Sequence, residues 1–268
     1  MPLMQCHDLR MHYQLAGEGF PLLFIAGLGG GSWSWSEQVP FFGKHFQTIV
    51  FDNRGAGRTD APVGPYSMEQ MAVDTVRLLH GLELEKFFVV GLSMGGMIAQ
   101  ELALLLPHRI KGLILACTHP GGDLQVPAED WVYTRLTSNQ GLSPEAIVDK
   151  NIPLLFSQTT RDTRLDILDT YKRQQVNAPV QPEHAFQAQY QAIQGFDFSS
   201  RCAKMPVPTL VISGSEDILV PPDNSRIMAE RMPVAELREL PETGHVLHVE
   251  QAERFNRELM DFMQRHAL

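Results

Sequence analysis

The feature that most constrains the fold of this chain is a Gly-Leu-Ser-Met-Gly turn at residues 91–95. An apolar run at residues 86–90 precedes the turn and is typical of a buried strand, whereas residues 96–106 have a helical pattern that ends before a proline. Between a strand and a helix, a G-x-S-x-G turn strains its backbone and exposes the serine hydroxyl, while the glycines leave room for the neighbouring chain. The sequence therefore predicts that Ser93 is a nucleophile at a sharp turn.

Short apolar runs alternate with helical patterns along most of the chain. The runs occupy residues 21–26, 46–52, 87–90, 112–117 and 209–213, and the helical patterns occupy residues 68–80, 97–106, 225–232 and 251–266. Near-continuous apolarity is typical of parallel strands covered on both faces, and the alternation predicts parallel βαβ units. Residues 5–15, which lead into a Gly-Glu-Gly turn, predict an antiparallel hairpin.

The alternation stops in the third quarter of the chain, which is more polar and rich in helix formers and proline. Its aromatic and aliphatic residues supply too much apolar surface for the alternative, a long disordered loop. We therefore expect a helical cap at residues 118–205, inserted into a core made of residues 1–117 and 206–268. The predicted fold class is α/β, with a mostly parallel central sheet, helices on both faces and this cap.

The residues that could assist the serine follow it along the chain in the order acid, then histidine. A serine hydroxyl needs a base to take its proton and an acid to orient that base, and at a turn of this kind the acid and then the histidine follow later strands. Asp217 comes directly after a strand run, and His245 lies in the loop after the next strand candidate. We predict the triad Ser93, Asp217 and His245, with Glu216 as the competing acid and His248 as the competing base.

Two backbone N–H groups are expected to stabilise the oxyanion that forms when the serine attacks a carbonyl. One belongs to Met94, which follows the nucleophile, and the other is expected from the glycine-rich loop at residues 27–31, with Leu28 as the predicted donor. We also predict that six apolar residues line a substrate pocket. For each of them, burial in the hydrophobic core is an equally good interpretation. These residues are Trp33, Trp35, Trp131, Leu154, Leu155 and Phe156.

The glycine-rich loop also permits a dinucleotide-binding interpretation, with Asp52 as the ribose partner. The third glycine of that motif is replaced by Ser32, and the bulky Trp33 follows at once, so we reject it. No Gly-Lys-Ser/Thr phosphate loop occurs, and the histidines and cysteines lack structural-zinc spacing. The sequence therefore predicts neither a cofactor nor a metal.

The net charge and the cysteine content limit the kinds of partner and the cellular compartment that we expect for this protein. A net charge of −9 without a basic cluster argues against nucleic acid or an anionic membrane as the partner. No stretch is long enough to span a membrane, no signal pattern opens the chain, and three scattered cysteines form no disulfide framework. We expect a cytoplasmic protein that acts on a small molecule, and the sequence leaves homo-oligomerisation open.

Four segments together resemble the α/β-hydrolase superfamily over essentially the whole chain. Residues 51–60 (FDNRGAGRTD) are similar to its D-x-R-G-x-G-x-S/T segment, residues 91–96 to its nucleophile turn, and residues 214–217 and 244–245 to its acid and base segments. Within the superfamily, the chain most resembles 3-oxoadipate enol-lactone hydrolases and cofactor-free bromoperoxidase-like esterases. It departs from their His-Gly-x-Gly loop at Ala26, so a hydrogen bond from that histidine is absent.

The triad and the resemblance together imply a serine hydrolase that cleaves a small or medium carboxylic ester or lactone through an acyl-enzyme. Two other functions stay open. The same triad could hydrolyse a carbon–carbon bond of a ring-cleavage product, or the chain could be a ligand-binding protein of low turnover on the same fold.

Overall fold

An eight-stranded sheet forms the centre of the structure, a computed structural model that describes residues 2–266. Across the sheet the strands run in the order β1-β2-β4-β3-β5-β6-β7-β8. The pairs β1–β2 and β2–β4 are antiparallel and the other five pairs are parallel, so the prediction of an α/β fold with a mostly parallel sheet is confirmed. The strands are β1 (Leu3–Cys6), β2 (Leu9–Ala16), β3 (Phe20–Ile25), β4 (Phe46–Phe51), β5 (Phe87–Leu92), β6 (Ile110–Ala116), β7 (Thr209–Gly214) and β8 (Ala235–Leu240).

Helices connect the strands and cover the sheet. Between β6 and β7 the chain forms five consecutive α-helices, α4 to α8, in the stretch where the sequence predicted a helical insertion. The α-helices are α1 (Gln38–Phe42), α2 (Met68–Gly81), α3 (Met94–Leu105), α4 (Asp130–Thr137), α5 (Pro144–Leu155), α6 (Gln158–Thr163), α7 (Leu165–Val176), α8 (Glu183–Gln194), α9 (Asp223–Arg231), α10 (Leu247–Glu250) and α11 (Ala252–His266). Within residues 2–266, none of them combines the length and the apolar character needed to cross a membrane.

Alternate residues of the central strands point to two separate hydrophobic cores. In β3, Leu23 and Ile25 pack with α2 and α3, whereas Leu22 and Phe24 pack on the other face with α1 and α11. The neighbouring strand β5 divides its residues in the same way. Burial on both faces explains why these strands are apolar at nearly every position rather than at every second one.

Helix α3 begins at Met94, three residues before the predicted start at Met97. The two glycines at residues 95 and 96 have low helix propensity, which obscured this first turn in the sequence. Both lie against other chain segments: a Cβ on Gly95 would lie 2.7 Å from the carbonyl oxygen of Ala26, and one on Gly96 would lie 2.6 Å from the Cβ of Thr118. Close packing against β3 and the end of β6 therefore requires glycine in this turn.

Replacing Gly95 by alanine should destabilise the protein severely. The added Cβ would collide with the carbonyl oxygens of Ile25 and Ala26, which are backbone atoms in a buried strand end and cannot turn away. We expect the free energy of unfolding, measured by denaturant titration, to fall by about 3 kcal/mol.

The matched control is Gly195→Ala at the end of α8. Its Cβ would meet only the carbonyl oxygen of Gln191, at 3.5 Å, and its backbone is already right-handed helical. We expect a change within about 0.5 kcal/mol. Equal effects at the two positions would contradict the packing argument.

Candidate active site

Ser93 occupies the sharp turn between β5 and α3. Its backbone has φ 55° and ψ −120°, a conformation that residues other than glycine rarely adopt. The Ser93 N–H donates to the carbonyl oxygen of Ala116 (2.8 Å), and its own carbonyl oxygen accepts from the Thr118 hydroxyl (2.8 Å). These bonds fix the turn from the β6 side, so that the half-buried Ser93 lies on the wall of a cavity.

His245 and Asp217 are brought together at the same edge of the sheet. The Nδ1 atom of His245 lies 2.8 Å from Oδ2 of Asp217, and both side chains are buried. The other carboxylate oxygen accepts the N–H groups of Leu219 (2.9 Å) and Val220 (2.8 Å). Because the carboxylate accepts the proton on Nδ1, the Nε2 atom of His245 is left as a proton acceptor, and His245 lines the same cavity as Ser93.

The competing acid and base occupy different environments. Glu216 is exposed, and its carboxylate accepts the backbone N–H of Gln158 (3.1 Å) rather than a histidine proton. His248 also reaches the cavity, but its buried ring packs on Trp35, with ring centroids 5.1 Å apart. Burial lowers the pKa of His248 to about 3, and its Nδ1 has no hydrogen-bond partner within residues 2–266. The geometry thus pairs Asp217 with His245.

The glycine-rich loop after β3 lies directly against Ser93. A Cβ on Gly27 would be 3.2 Å from the Cβ of Ser93, so the loop backbone passes next to the hydroxyl. The N–H of Gly30 donates to the carbonyl oxygen of Gly27 (3.1 Å), and the N–H of Gly29 donates to a side chain of α8, Gln189 (3.3 Å). Leu28 lies between Gly27 and Gly29, and neither of these two hydrogen bonds uses its N–H. Met94, as the first residue of α3, contributes one of the N–H groups that a helix start leaves without intrahelical partners.

Gln189 holds two loops of the site in place, and no sequence pattern singles it out. It is fully buried, its Nε2 donates to the carbonyl oxygen of Arg54 (2.8 Å), and its Oε1 accepts the Gly29 N–H. Gln181 assists by donating to the carbonyl oxygen of Gly55 (2.9 Å) and to Gln189 (3.0 Å). Two glutamines of the inserted segment therefore hold the glycine-rich loop and the turn after β4 in place.

Asp52, the candidate ribose partner, is buried and has other contacts. Its carboxylate accepts the N–H groups of Ser32 (2.7 Å) and Arg58 (2.9 Å) and lies 3.0 Å from the ring of His12. The glycine-rich loop continues into a short 3₁₀ helix at Ser32–Trp35 rather than into a long α-helix. Asp52 thus joins the two loops, and the geometry offers no helix start for a pyrophosphate.

The cavity beside Ser93 has a volume of about 700 Å³. Of the six side chains predicted to line a pocket, Trp33 and Leu155 lie on its wall.

The other four predicted lining residues lie elsewhere, and this corrects the prediction. Trp35 is fully buried against Phe24, and Leu154 and Phe156 belong to two small cores beneath the inserted helices. Trp131 is half exposed on α4, where its indole N–H donates to Glu129 (2.8 Å). Adjacent residues of a helix face different directions. The apolar character of a residue therefore does not show whether its side chain lines the cavity or packs in the core.

Cys117, Asp217 and His245 place one potential metal-ligand atom each within 4.8 Å of one another. Metal binding by cysteine requires the thiolate. Burial raises the pKa of the Cys117 thiol well above its usual value, and the nearby Asp217 carboxylate acts in the same direction. Both oxygens of Asp217 already accept hydrogen bonds. The group is therefore better suited to proton transfer than to metal binding.

Glu250 connects the His245 loop to the inserted helices. Its buried carboxylate accepts the backbone N–H of Gly244 (2.7 Å) with one oxygen. The other oxygen accepts both the N–H (3.1 Å) and the hydroxyl of Ser157, the residue that caps α6. On the other side of the histidine, the N–H of Val246 donates to the carbonyl oxygen of Leu155 (3.1 Å). Both neighbours of His245 are thus tied to the junction between α5 and α6.

Comparison with known proteins identifies the family of the chain. A profile described as "alpha/beta hydrolase fold" matches residues 21–252. The chain belongs to the α/β-hydrolase fold family. It is 30% identical, over 98% of both chains, to the Azorhizobium caulinodans protein named "Putative carbamate hydrolase RutD". It is 27% identical to the Mycobacterium tuberculosis protein named "Putative non-heme bromoperoxidase BpoC", covering 95% of this chain and 97% of that one.

The crystal structure of the enol-lactonase from Burkholderia xenovorans LB400 matches with a TM-score of 0.86. The two chains are 26% identical, and the match covers 98% of this chain and 100% of that one. The resemblance to enol-lactone hydrolases and bromoperoxidase-like proteins is therefore confirmed. Membership of the α/β-hydrolase family and the names of these relatives support a hydrolase activity, as the sequence predicted.

Truncating Glu250 should destabilise the fold, because it would leave the buried donors of Gly244 and Ser157 without an acceptor. We expect Glu250→Ala to lower the free energy of unfolding by roughly 3 kcal/mol, since each orphaned buried donor costs about 1–3 kcal/mol. Denaturant titration at neutral pH measures the change. The exposed Glu253 three residues later provides the control, and its alanine variant should change stability by less than about 0.5 kcal/mol. A Glu250→Ala variant as stable as Glu253→Ala would refute the connection.

Proposed function

We propose that this protein is a serine hydrolase of carboxylic esters or lactones, with Ser93 as nucleophile, His245 as general base and Asp217 as the acid that orients it. The observation that carries the proposal is the 2.8 Å contact between Nδ1 of His245 and Asp217, on the wall of the cavity that Ser93 also lines. The three side chains come from loops after β5, β7 and β8, in the order expected for this fold.

Acylation begins when the Ser93 hydroxyl oxygen attacks the carbonyl carbon and Nε2 of His245 takes the hydroxyl proton. The carbonyl oxygen becomes an oxyanion, stabilised by the N–H groups of Leu28 and Met94. The carbon–oxygen bond to the leaving alcohol then breaks, and the His245 imidazolium returns the proton to that alcohol. With an ester, the products of this half-reaction are the free alcohol and an acyl-enzyme at Ser93. With a lactone, the new hydroxyl stays on the acyl chain, and the hydroxyacyl-enzyme at Ser93 is the single product.

Deacylation repeats these steps with water in place of the serine. His245 removes a proton from the water as it attacks the acyl carbonyl, and then returns the proton to the Ser93 oxygen as the carboxylic acid departs. Asp217 holds the imidazole in the tautomer that leaves Nε2 free and stabilises the imidazolium formed in each half-reaction. The N–H bonds from Leu219 and Val220 to Asp217 support this role, because they keep the carboxylate oriented toward His245.

We infer that residues 118–205 act as the cap over this site. The helices α4, α5, α7 and α8 contribute side chains to the cavity wall, so a substrate would sit between them and the sheet. Trp33 and Leu155 are the two predicted pocket residues that this arrangement supports as substrate contacts.

Carbamate hydrolysis is a second candidate reaction. It is favoured by the 30% identity, over 98% of both chains, with a relative named as a carbamate hydrolase. A carbamate presents a carbonyl to the same nucleophile, and the proposed triad would form a carbamoyl-enzyme in place of an acyl-enzyme.

We further propose a cytoplasmic location and a small-molecule substrate. Support for the location comes from Cys6, Cys117 and Cys202, which are all free and buried, as expected in a reducing compartment.

A fluorophosphonate probe should label the protein at Ser93. Peptide mapping by mass spectrometry should place the adduct on the peptide that contains Ser93, and labelling should be lost in Ser93→Ala and strongly slowed in His245→Ala. With p-nitrophenyl hexanoate as substrate, kcat/KM should fall by at least about ten-thousandfold in Ser93→Ala while the melting temperature does not decrease. Full hydrolysis by Ser93→Ala would exclude the proposed nucleophile.

The neighbouring acidic residues allow a matched test of the acid. Asp217→Asn should lower kcat by about ten-thousandfold, because the amide favours the wrong tautomer of His245. Glu216→Gln should keep activity within about threefold, because the Glu216 carboxylate accepts the N–H of Gln158 at the start of α6 and not a proton of His245. The reverse ranking would assign the acid to Glu216.

A further inference from the structure

The wall of the cavity beside Ser93 carries almost no charge. Among the described residues that line it, the one aspartate, glutamate, lysine or arginine is Glu183. Glu183 is the exposed first residue of α8, where water screens its carboxylate. No lysine or arginine of residues 2–266 therefore lines this cavity of about 700 Å³.

The histidines on the wall do not supply a positive charge before catalysis starts. His119 accepts the N–H of Gly121 with its Nδ1 (3.1 Å), so its ring is neutral and bears its proton on Nε2. Burial lowers the pKa of His119 to about 4 and that of His248 to about 3, and both rings are therefore neutral at pH 7. His245 is the base that must start the reaction unprotonated.

Lys150 approaches the wall but is separated from the cavity by an amide. Its ammonium donates to Oδ1 of Asn139 (2.7 Å) and to the carbonyl oxygen of Ser138 (3.1 Å), and Asn139 is the residue that lines the cavity. Other neutral amides contribute to the wall and can bind uncharged polar groups. They include Gln125, Asn151, Gln174, Gln175 and Gln194.

We propose that the site accepts uncharged acyl groups and discriminates against acyl groups that carry a carboxylate. The inference rests on the proposed function and specifies its substrate class. A carboxylate that enters this cavity loses hydration and finds no lysine or arginine on the part of the wall that residues 2–266 form. An uncharged acyl chain of the same length loses little hydration free energy. The net charge of −9 adds a repulsive field of the same sign.

The site should therefore distinguish simple esters and lactones from esters and lactones that are derived from dicarboxylic acids. When one carboxyl group of a dicarboxylic acid closes a lactone or forms an ester, the other remains ionised at neutral pH. Such a compound would bring an unpaired negative charge to this wall. Neutral esters and neutral lactones with medium acyl chains are therefore the substrate class that the site selects.

Three p-nitrophenyl esters with matched chains test this selection. They are p-nitrophenyl hexanoate, the mono-p-nitrophenyl ester of adipic acid, and the methyl p-nitrophenyl diester of adipic acid. The diester has the length of the anionic ester without its charge. At pH 7.5, with hydrolysis by Ser93→Ala subtracted as background, kcat/KM for the anionic ester should be at least about a hundredfold below that for the diester. The hexanoate and the diester should agree within about tenfold.

The outcomes distinguish the inference from the proposed function. Ser93-dependent hydrolysis of the anionic ester at a rate equal to the diester would overturn the charge selection and leave the serine hydrolase intact. Absence of turnover with all three esters would instead count against the proposed function. Binding of the same esters to Ser93→Ala, followed through intrinsic tryptophan fluorescence, would then decide the charge selection, because Trp33 is the one of the three tryptophans that lines the cavity. Tighter binding of the neutral diester supports it, and equal or tighter binding of the anion overturns it.

A charge placed on the wall should shift the preference. Ile147 of α5 lines the cavity and is partly exposed, so a lysine can be accommodated there. We expect Ile147→Lys to raise the ratio of kcat/KM for the anionic ester over the diester by at least about fivefold relative to Ile147→Met, its neutral control of similar length. An unchanged ratio would show that wall charge does not set the preference.

Discussion

The backbone of Ser93 is strained, and the ends of neighbouring strands must hold it in place for the site to form. A residue with φ 55° and ψ −120° costs about 1–3 kcal/mol, and it persists only where its surroundings determine it fully. The ends of the two neighbouring strands, β6 and β3, meet this requirement together. The N–H of Ser93 is bonded to the end of β6, Thr118 just beyond β6 bonds its carbonyl oxygen, and the turn packs against the end of β3 at Gly95. A sheet buried on both faces is what makes these strand ends rigid enough to hold the turn.

The inserted helices are fastened to the two loops that would act on a substrate carbonyl. Gln189 of α8 holds the glycine-rich loop after β3 through the N–H of Gly29. Glu250 joins the His245 loop to the start of α6 through Gly244 and Ser157. The inserted segment therefore both lines the cavity and holds the loops beside Ser93. Under the proposed function, these contacts would couple the choice of substrate to the placement of the reactive groups.

The sequence was sufficient for the sheet and for the meeting of His245 with Asp217, because both follow from local patterns. Buried parallel strands are apolar at nearly every position, and residues at their carboxyl ends converge on one edge of the sheet. The sequence was not sufficient to predict which residues line the cavity. Trp33 and Trp35 stand two residues apart in one short helix, yet the first faces the cavity and the second packs on Phe24. The wall, whose one Asp, Glu, Lys or Arg among the described residues is Glu183, is assembled from residues between 27 and 249. No local sequence pattern shows which of these residues share a surface.

A crystal structure of the protein after reaction with diethyl p-nitrophenyl phosphate, whose phosphoryl group imitates the tetrahedral intermediate, would test the proposed roles of Ser93, Leu28 and Met94 together. We expect a covalent bond from phosphorus to the Ser93 oxygen. We also expect the phosphoryl oxygen to lie about 2.7–3.1 Å from the backbone nitrogens of both Leu28 and Met94, with His245 still hydrogen-bonded to Asp217. A phosphoryl oxygen directed away from those two N–H groups, or a His245 ring turned away from Ser93, would contradict these expectations.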